Sequence, residues 1–119
     1  MQFDVVVGNP PYNPPVKSGP GCGGRTNLWR RFVEAAIEKM VVPGGHLCFI
    51  HPPMWRAPRS HLKRSRVEGL WELMTQRHHM MSLRIYTKSP FPGVGTKADH
   101  YVIRILQDNE EPGRTSVLD

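Results

Sequence analysis

The chain has 119 residues, of which 39% are hydrophobic, and a formal net charge of +6. This length limits it to one domain, and with no apolar run of 18 or more residues and no signal-peptide pattern we expect a cytoplasmic protein without a membrane span. Its two cysteines, Cys22 and Cys48, lack the spacing of a zinc knuckle or a disulfide framework, and its six histidines are scattered, so no metal site is expected.

The first predicted element is a strand over residues 3–7, followed directly by Asn9-Pro10-Pro11-Tyr12. Three consecutive valines in this strand are typical of a parallel strand that is buried on both faces. A simple turn that closes the strand is one interpretation of the four residues after it, because Asn-Pro pairs often form turns. The two prolines also fix the backbone and restrict the residue before them.

The middle of the chain alternates between helix and strand signals. A loop rich in Pro and Gly leads to Asn27, which can cap a helix, and Ser60 can cap a second one. The predicted elements are a loop over residues 13–26, a helix over 28–42 ended by Pro43-Gly44-Gly45, a strand over 46–50 and a helix over 60–76.

The last part of the chain predicts two strands and a tail. Apolar residues alternate with others around residues 81–85 and again around residues 101–105, on either side of a loop over residues 87–99. The polar tail over residues 108–119 contains a Pro-Gly turn and is expected to be disordered.

A basic cluster surrounds the start of the second predicted helix: Arg56, Arg59, Lys63, Arg64 and Arg66. A solvated helix face is the plain interpretation of such a cluster. It also follows a strand end, where ligands collect in open α/β sheets, so these side chains are candidates for contacts with DNA phosphates.

The strand and the Asn-Pro-Pro-Tyr that follows it resemble the catalytic motif of S-adenosylmethionine-dependent amino-methyltransferases. The closest resemblance is to TaqI-like adenine-specific DNA methyltransferases of type II restriction-modification systems. It implies that Asn9, Pro10, Pro11 and Tyr12 are catalytic. The Asn9 side-chain carbonyl and the Pro10 backbone carbonyl would accept the two protons of an adenine amino group.

Two aromatic residues have an implied role in holding the base. Tyr12 would stack on a flipped adenine, and Phe91 occupies the place along the chain where the family carries an aromatic residue for the opposite side of the base. Stacking of this kind contributes about 1 to 3 kcal/mol per base.

The implied fold is α/β, the C-terminal half of a Rossmann-like methyltransferase sheet with parallel strands and a final antiparallel strand. Residues 1–107 would form this partial catalytic domain. The cofactor-binding loop of the family cannot be found, so no residue is assigned to S-adenosylmethionine. A single βαβ unit needs 30 or more residues, which excludes a permuted copy of the missing half after the last strand.

The chain is therefore expected to be a fragment or subunit that acts with a complementary methyltransferase half or a specificity subunit. A Val-rich first strand with no neighbour would leave an edge prone to aggregation, which also favours a partner. Two other readings stay open: an enzyme that methylates a release-factor glutamine or a ribosomal RNA guanine with the same four residues, and an inactive nucleic-acid-binding module.

Overall fold

The computed structural model describes residues 1–12, 28–56, 69–93, 95 and 97–119. They form one five-stranded sheet with strand order β1-β2-β4-β3-β5 and helices α1 and α2. The elements are β1 (Phe3–Gly8), α1 (Leu28–Ala35), β2 (Val41–His51), α2 (Leu70–Thr75), β3 (His79–Tyr86), β4 (Ala98–Arg104) and β5 (Ser116–Leu118).

The sheet mixes parallel and antiparallel pairs. Strand β1 runs parallel to β2, whereas β4 is antiparallel to both β2 and β3. The predicted fold class, an α/β sheet with parallel and antiparallel strands, is confirmed. The antiparallel strand is β4 and not the final strand, because β5 follows it and pairs in parallel with β3. None of the helices in the described ranges has the length and apolar character needed to cross a bilayer.

The first helix is shorter than the sequence predicts. α1 ends at Ala35, and a π-helical segment, Ala36–Met40, leads straight into β2. Pro43, Gly44 and Gly45 therefore lie inside the start of β2 rather than between helix and strand. They form an irregular stretch there, because the register with β1 jumps between Phe3 and Val5.

Gly45 is required at this irregularity by close contact. A Cβ atom at Gly45 would lie 2.6 Å from the Asp4 carbonyl oxygen and 2.7 Å from a Val41 methyl group. Both contacts are shorter than real Cβ atoms allow, so a side chain here would push β1 away from β2. The Pro-Gly-Gly sequence thus sets where the motif-bearing strand lies.

The core lies on one face of the sheet, under α1, the π-helical segment and α2. Alternate residues of β2 and β4 point into it, including Leu47, Phe49, Tyr101 and Ile103, each less than 5% exposed. The remaining buried hydrophobic side chains of this core include Trp29, Val33, Ile37, Trp55, Leu70, Met74 and Met80. We call the opposite side of the sheet the open face, because no described helix covers it.

Strand β1 is exposed, which corrects the prediction that it is buried on both faces. Val5 is 56% exposed and Val7 is 71% exposed, both on the open face, while Val6 packs against the core. Val5 and Val7 are exposed because no described helix covers the open face and because β1 is the end strand of the described sheet. Its outer edge has no strand neighbour within the described ranges.

The tail differs from the disordered segment that its composition predicts. Residues 116–118 pair in parallel with Ser82, Leu83 and Arg84 of β3. Upstream of them, the Thr115 hydroxyl donates to the Met80 carbonyl over 2.7 Å. The sequence prediction missed this strand because its three side chains are all exposed. The strand is held by backbone pairing with β3.

Candidate active site

Strands β1, β2 and β3 end at the same edge of the sheet. Since β1, β2 and β3 run in one direction and β4 in the other, the ends of the first three strands meet the beginning of the fourth. We call this the carboxyl edge. It carries the residues after Gly8, the end of β2 at His51 and the start of the loop that contains Phe91. Ligands bind at such edges in open α/β sheets.

The Asn-Pro-Pro-Tyr motif turns away from the end of β1 at this edge. Asn9 is exposed, Pro10 is buried and Pro11 is exposed. Asn9 therefore has access to a ligand while the residue after it is held by packing. This exposure is compatible with an amide that accepts a hydrogen bond from a substrate.

Tyr12 is tied to the fold at both its backbone and its side chain. Its carbonyl accepts from the Trp29 backbone N–H over 3.5 Å, which gives one of the free donors at the start of α1 a partner. Its half-buried ring packs against the core. The hydroxyl is buried with no hydrogen-bond partner among the residues that the structure describes, and burial raises the pKa of Tyr12.

Behind the motif lies a group of three side chains that we call the histidine cluster: Trp29, His51 and Tyr101. The His51 ring stacks on Trp29 with 4.3 Å between centroids and 17° between planes. Its Nδ1 lies 2.9 Å from the Pro52 carbonyl, which can only accept, so Nδ1 carries the proton. Nε2 then accepts from the Tyr101 hydroxyl over 2.7 Å.

The histidine cluster is neutral and fully buried. Burial lowers the pKa of His51 to about 4, and the bond to the Pro52 carbonyl opposes this only in part. Burial also raises the pKa of Tyr101 well above its usual value. Both ring nitrogens of His51 have partners, so the cluster is a satisfied polar network of the kind that fixes one packing arrangement.

A second group, the aspartate cluster, consists of Trp55, Arg56 and Asp99. Asp99 is completely buried, and its Oδ2 accepts from Trp55 Nε1 over 3.1 Å and lies 2.7 Å from Arg56 Nε. Burial raises the pKa of the Asp99 carboxyl, while the charge and hydrogen bond of Arg56 and the bond from Trp55 lower it. Asp99 Oδ1 has no hydrogen-bond partner in the described ranges.

The two clusters touch each other. Trp55 meets the Tyr101 ring edge to face, with 6.1 Å between centroids. His51 and Asp99 are directly paired across β2 and β4. Gly8 pairs with Phe49 two residues earlier on β2, so the motif, His51 and Asp99 lie on three adjacent strands at one level of the sheet.

The other residues predicted for the site are only partly placed. Phe91 is half-buried in the loop between β3 and β4, where its N–H donates to the Ser89 hydroxyl over 3.2 Å. Arg56 is bound to Asp99 and its side chain remains 39% exposed. The other four members of the basic cluster, Arg59, Lys63, Arg64 and Arg66, lie outside the described residues.

Sequence reasoning named Arg56 but missed the other members of both clusters. The predicted strand over residues 46–50 stops just before His51, Asp99 falls in the predicted loop over residues 87–99, and Tyr101 is part of the alternation over residues 101–105. One signal was available for His51, because a polar residue at the carboxyl end of a buried strand is a site candidate. Asp99 gave no local signal, since its partners lie more than 40 positions away.

The described residues offer no group of side chains that could hold a metal ion. Within these ranges there is no group of three or more His, Cys, Asp or Glu side chains that could hold a metal. The side of Asn9 beyond β1 is an open edge rather than a cradle.

Comparison with known proteins gives one family match and several similar structures. The family model of the Eco57I restriction-modification methylase matches residues 1–86. No curated protein matches the chain.

The similar solved structures share the fold at low identity. A Listeria monocytogenes protein described as a class I S-adenosylmethionine-dependent methyltransferase has a TM-score of 0.61 and 17% identity, over 98% of this chain and 37% of its own. A component of a type I restriction-modification system has a TM-score of 0.58 and 18% identity, over 96% of this chain and 22% of its own. The EcoKI M protein of a type I restriction enzyme has a TM-score of 0.55 and 19% identity, over 90% of this chain and 22% of its own.

These matches establish the fold and the family. The sheet is that of Rossmann-like S-adenosylmethionine-dependent methyltransferases, and the chain spans 22% to 37% of the length of the three solved chains. The family match extends over the motif, the histidine cluster's first two members and all of β3. The chain belongs to the Eco57I restriction-modification methylase family.

Proposed function

We propose that this chain is the substrate-amine half of a DNA adenine-N6 methyltransferase that takes its methyl group from S-adenosylmethionine and belongs to a cytoplasmic restriction-modification system. The observation that carries the proposal is the exposed Asn9, followed by a buried Pro10, at the carboxyl edge of a methyltransferase sheet. Family membership and net positive charge support a DNA substrate.

The chemistry assigned to the motif is orientation of a weak nucleophile. The lone pair of an adenine amino group is delocalised into the ring, so the group must be drawn towards tetrahedral geometry before it can attack. Two fixed acceptors, the Asn9 side-chain oxygen and the Pro10 carbonyl, would bind its two protons. Preorganised polar groups of this kind supply a large share of transition-state stabilisation.

The motif itself needs no strong base. The amine becomes acidic only after it has gained the methyl group, and the proton can then leave to water. The rigidity of the acceptors comes from Pro10 and Pro11, from the Trp29 N–H bonded to the Tyr12 carbonyl, and from the satisfied histidine cluster beneath. These contacts limit the movement of Asn9. Catalysis by orientation depends on how precisely such a group is positioned.

Tyr12 and Phe91 are proposed to stack on the two faces of the flipped adenine. Tyr12 has its hydroxyl buried, so its ring is held at the hydroxyl end while the rest remains half-exposed. Phe91 is half-buried in a loop that starts at the carboxyl edge. Together they would offset the few kcal/mol that it costs to unstack a base.

A complementary methyltransferase half is the proposed partner. The unpaired edge of β1 and the exposed Phe3, Val5 and Val7 offer a strand-addition site with apolar surface beside it. The cofactor is proposed to bind on that half, because the family's cofactor-binding loop is not found in this sequence. Whether that half is a separate protein or another part of a longer chain does not affect the proposal.

Methyl transfer from radiolabelled S-adenosylmethionine tests the function. The chain is assayed with the protein of its neighbouring reading frame, using duplex DNA, total RNA and translation release factors as acceptors. We expect label on the adenine N6 position of DNA and more than 100-fold loss in Asn9→Ala. The matched control is Asn109→Gly, which lies in the tail at a φ of 69° that glycine accepts.

The other acceptors decide between alternatives. Label on a glutamine of a release factor, or on guanine of RNA, would replace the DNA assignment. Label on DNA that is unchanged in Asn9→Ala would contradict the role of the motif.

A further inference from the structure

We infer that Arg56 is a fixed phosphate-binding residue at the carboxyl edge and that Asp99 is the residue that positions it. The ligand is a phosphodiester next to the base that occupies the motif. This rests on the proposed DNA substrate but not on adenine methylation.

The contact between the two side chains leaves Arg56 directed outward. A guanidinium has five N–H donors in a fixed plane, and Arg56 uses Nε to meet Asp99 Oδ2 at 2.7 Å. Asp99 is fully buried while the Arg56 side chain is 39% exposed. The terminal amino groups therefore lie on the solvent side of a guanidinium whose inner side is anchored. Planar, paired donors of this kind suit phosphate oxygens.

Asp99 is itself held from behind. Trp55 Nε1 donates to the same Oδ2, and the Trp55 ring is buried against Tyr101 and stacked on Trp71. An indole fixed on both sides leaves the carboxylate little freedom to turn. Asp99, which holds Arg56, is thus fixed by side chains of the core.

A purely structural role explains Asp99 poorly. Its Oδ1 is buried with no hydrogen-bond partner in the part of the chain described here. A buried carboxylate with an unpaired oxygen destabilises a fold, and an Asn or an apolar residue would fill the same place at less cost. The carboxylate does give what those residues cannot, a charge-assisted bond that fixes an arginine.

The location fits a phosphate beside the target base. Asp99 pairs with His51 on β2, and β1 is the next strand over, so Asp99 is about 10 Å from the end of β1 by two strand spacings. The Arg56 side chain meets Asp99 at this point and is 39% exposed. A nucleotide whose base occupies Asn9 would bring a flanking phosphate within reach of this guanidinium.

The test measures binding of a fluorescein-labelled thymidine 12-mer by anisotropy over a range of salt concentrations. Thymine has no amino group for the motif, so this probe isolates phosphate contacts from adenine chemistry. Arg56→Gln should weaken binding about tenfold and reduce the slope of log K against log salt by about 0.7, the value for one phosphate contact on a single strand. The matched control, Arg31→Gln, removes an exposed arginine of α1 and should change affinity less than twofold.

Whether Asp99→Ala weakens or tightens DNA binding shows whether Asp99 positions Arg56 or only neutralises its charge. If Asp99 only neutralised Arg56, Asp99→Ala would tighten binding. Positioning requires the reverse, about threefold to tenfold weaker binding, and no further loss when Asp99→Ala is added to Arg56→Gln. Arg56→Lys should also bind more weakly, because one ammonium cannot hold the carboxylate and a phosphate as a guanidinium does.

Three outcomes would overturn the inference. They are absence of binding by the unmodified chain at low salt, equal effects of Arg56→Gln and Arg31→Gln, and tighter binding by Asp99→Ala. If Asp99→Ala does not fold by circular dichroism, Asp99→Asn takes its place, and tighter binding by that variant overturns the inference equally. Binding with this pattern in a chain that methylates no adenine would leave the phosphate site standing and refute the proposed function alone.

Discussion

The histidine cluster and the aspartate cluster lie side by side at the carboxyl edge, yet they bury polar groups in opposite ways. His51 is neutral, with a partner on each ring nitrogen. Asp99 has a half-exposed cationic partner on one oxygen and none on the other among the described residues. Burial costs little when every group is satisfied and much when one is not. The first cluster is explained by the stability of the fold alone, and the second by the phosphate-binding role that we propose for Arg56.

The variant expected to change stability most removes the Trp29 ring, on which His51 stacks. Trp29→Ala should lower the free energy of unfolding by about 3 to 5 kcal/mol, because a fully buried ring leaves a cavity under the motif. Denaturant titration measures it. Phe32→Ala on the same helix removes a side chain that is 42% exposed and is the control, expected near 1 kcal/mol or less. Equal losses would contradict the central place given to the histidine cluster.

Acid should act on the two clusters with opposite signs. The folded pKa of His51, about 4, is below its unfolded value of 6.5, so the unfolded chain binds more protons between these values. Its stabilising contribution is complete above pH 6.5 and declines as pH falls towards 4, by on the order of 3 kcal/mol. The raised pKa of Asp99 favours the folded state as pH falls and offsets part of this loss.

Unfolding free energies measured from pH 7 to pH 4 test whether stability falls with pH, as expected from His51. The variant His51→Phe keeps a ring on Trp29 and should flatten the pH dependence while lowering stability at pH 7. A remaining slope of the same sign is expected from His78, whose pKa is lowered by burial and by Arg77. An unchanged profile would mean that His51 is not the main acid-sensitive group.

Loss of one hydroxyl in the satisfied cluster should have an intermediate effect. Tyr101→Phe keeps the ring but leaves His51 Nε2 buried without its donor, which costs about 1 to 3 kcal/mol. Thermal and denaturant unfolding give the value. Tyr86→Phe, at a half-buried tyrosine under Arg84, should change stability by no more than about 0.5 kcal/mol.

The smallest expected change is in the unsatisfied cluster. Asp99→Asn removes a buried carboxylate, and the Arg56 charge that it leaves without a partner is 39% exposed, so water can solvate it. The unfolding free energy should therefore stay within about 1 kcal/mol of that of the unmodified chain, because no buried charge is left unpaired. The same denaturant titration compares it with Tyr101→Phe. A loss as large as that of Tyr101→Phe would mean that both clusters are structural, and the contrast between them would fail.

Local sequence predicted more of the fold than of the site. The order of strands and helices followed from apolar spacing, and the motif from four adjacent residues. The boundaries near Val41 and the strand at Ser116 depend on backbone pairing between distant segments, which spacing does not encode. His51 with Tyr101, and Trp55 with Asp99, are 50 and 44 positions apart, so only the folded sheet brings them together.

The two borders of the sheet differ in a way that bears on self-association. On one side β5 shields β3 with three residues, while β1 leaves six residues without a neighbour among the described ranges. An end strand is a template for pairing with another chain, and a longer end strand leaves more backbone groups without partners. Addition of a further strand to the described sheet should therefore begin at β1 rather than at β5.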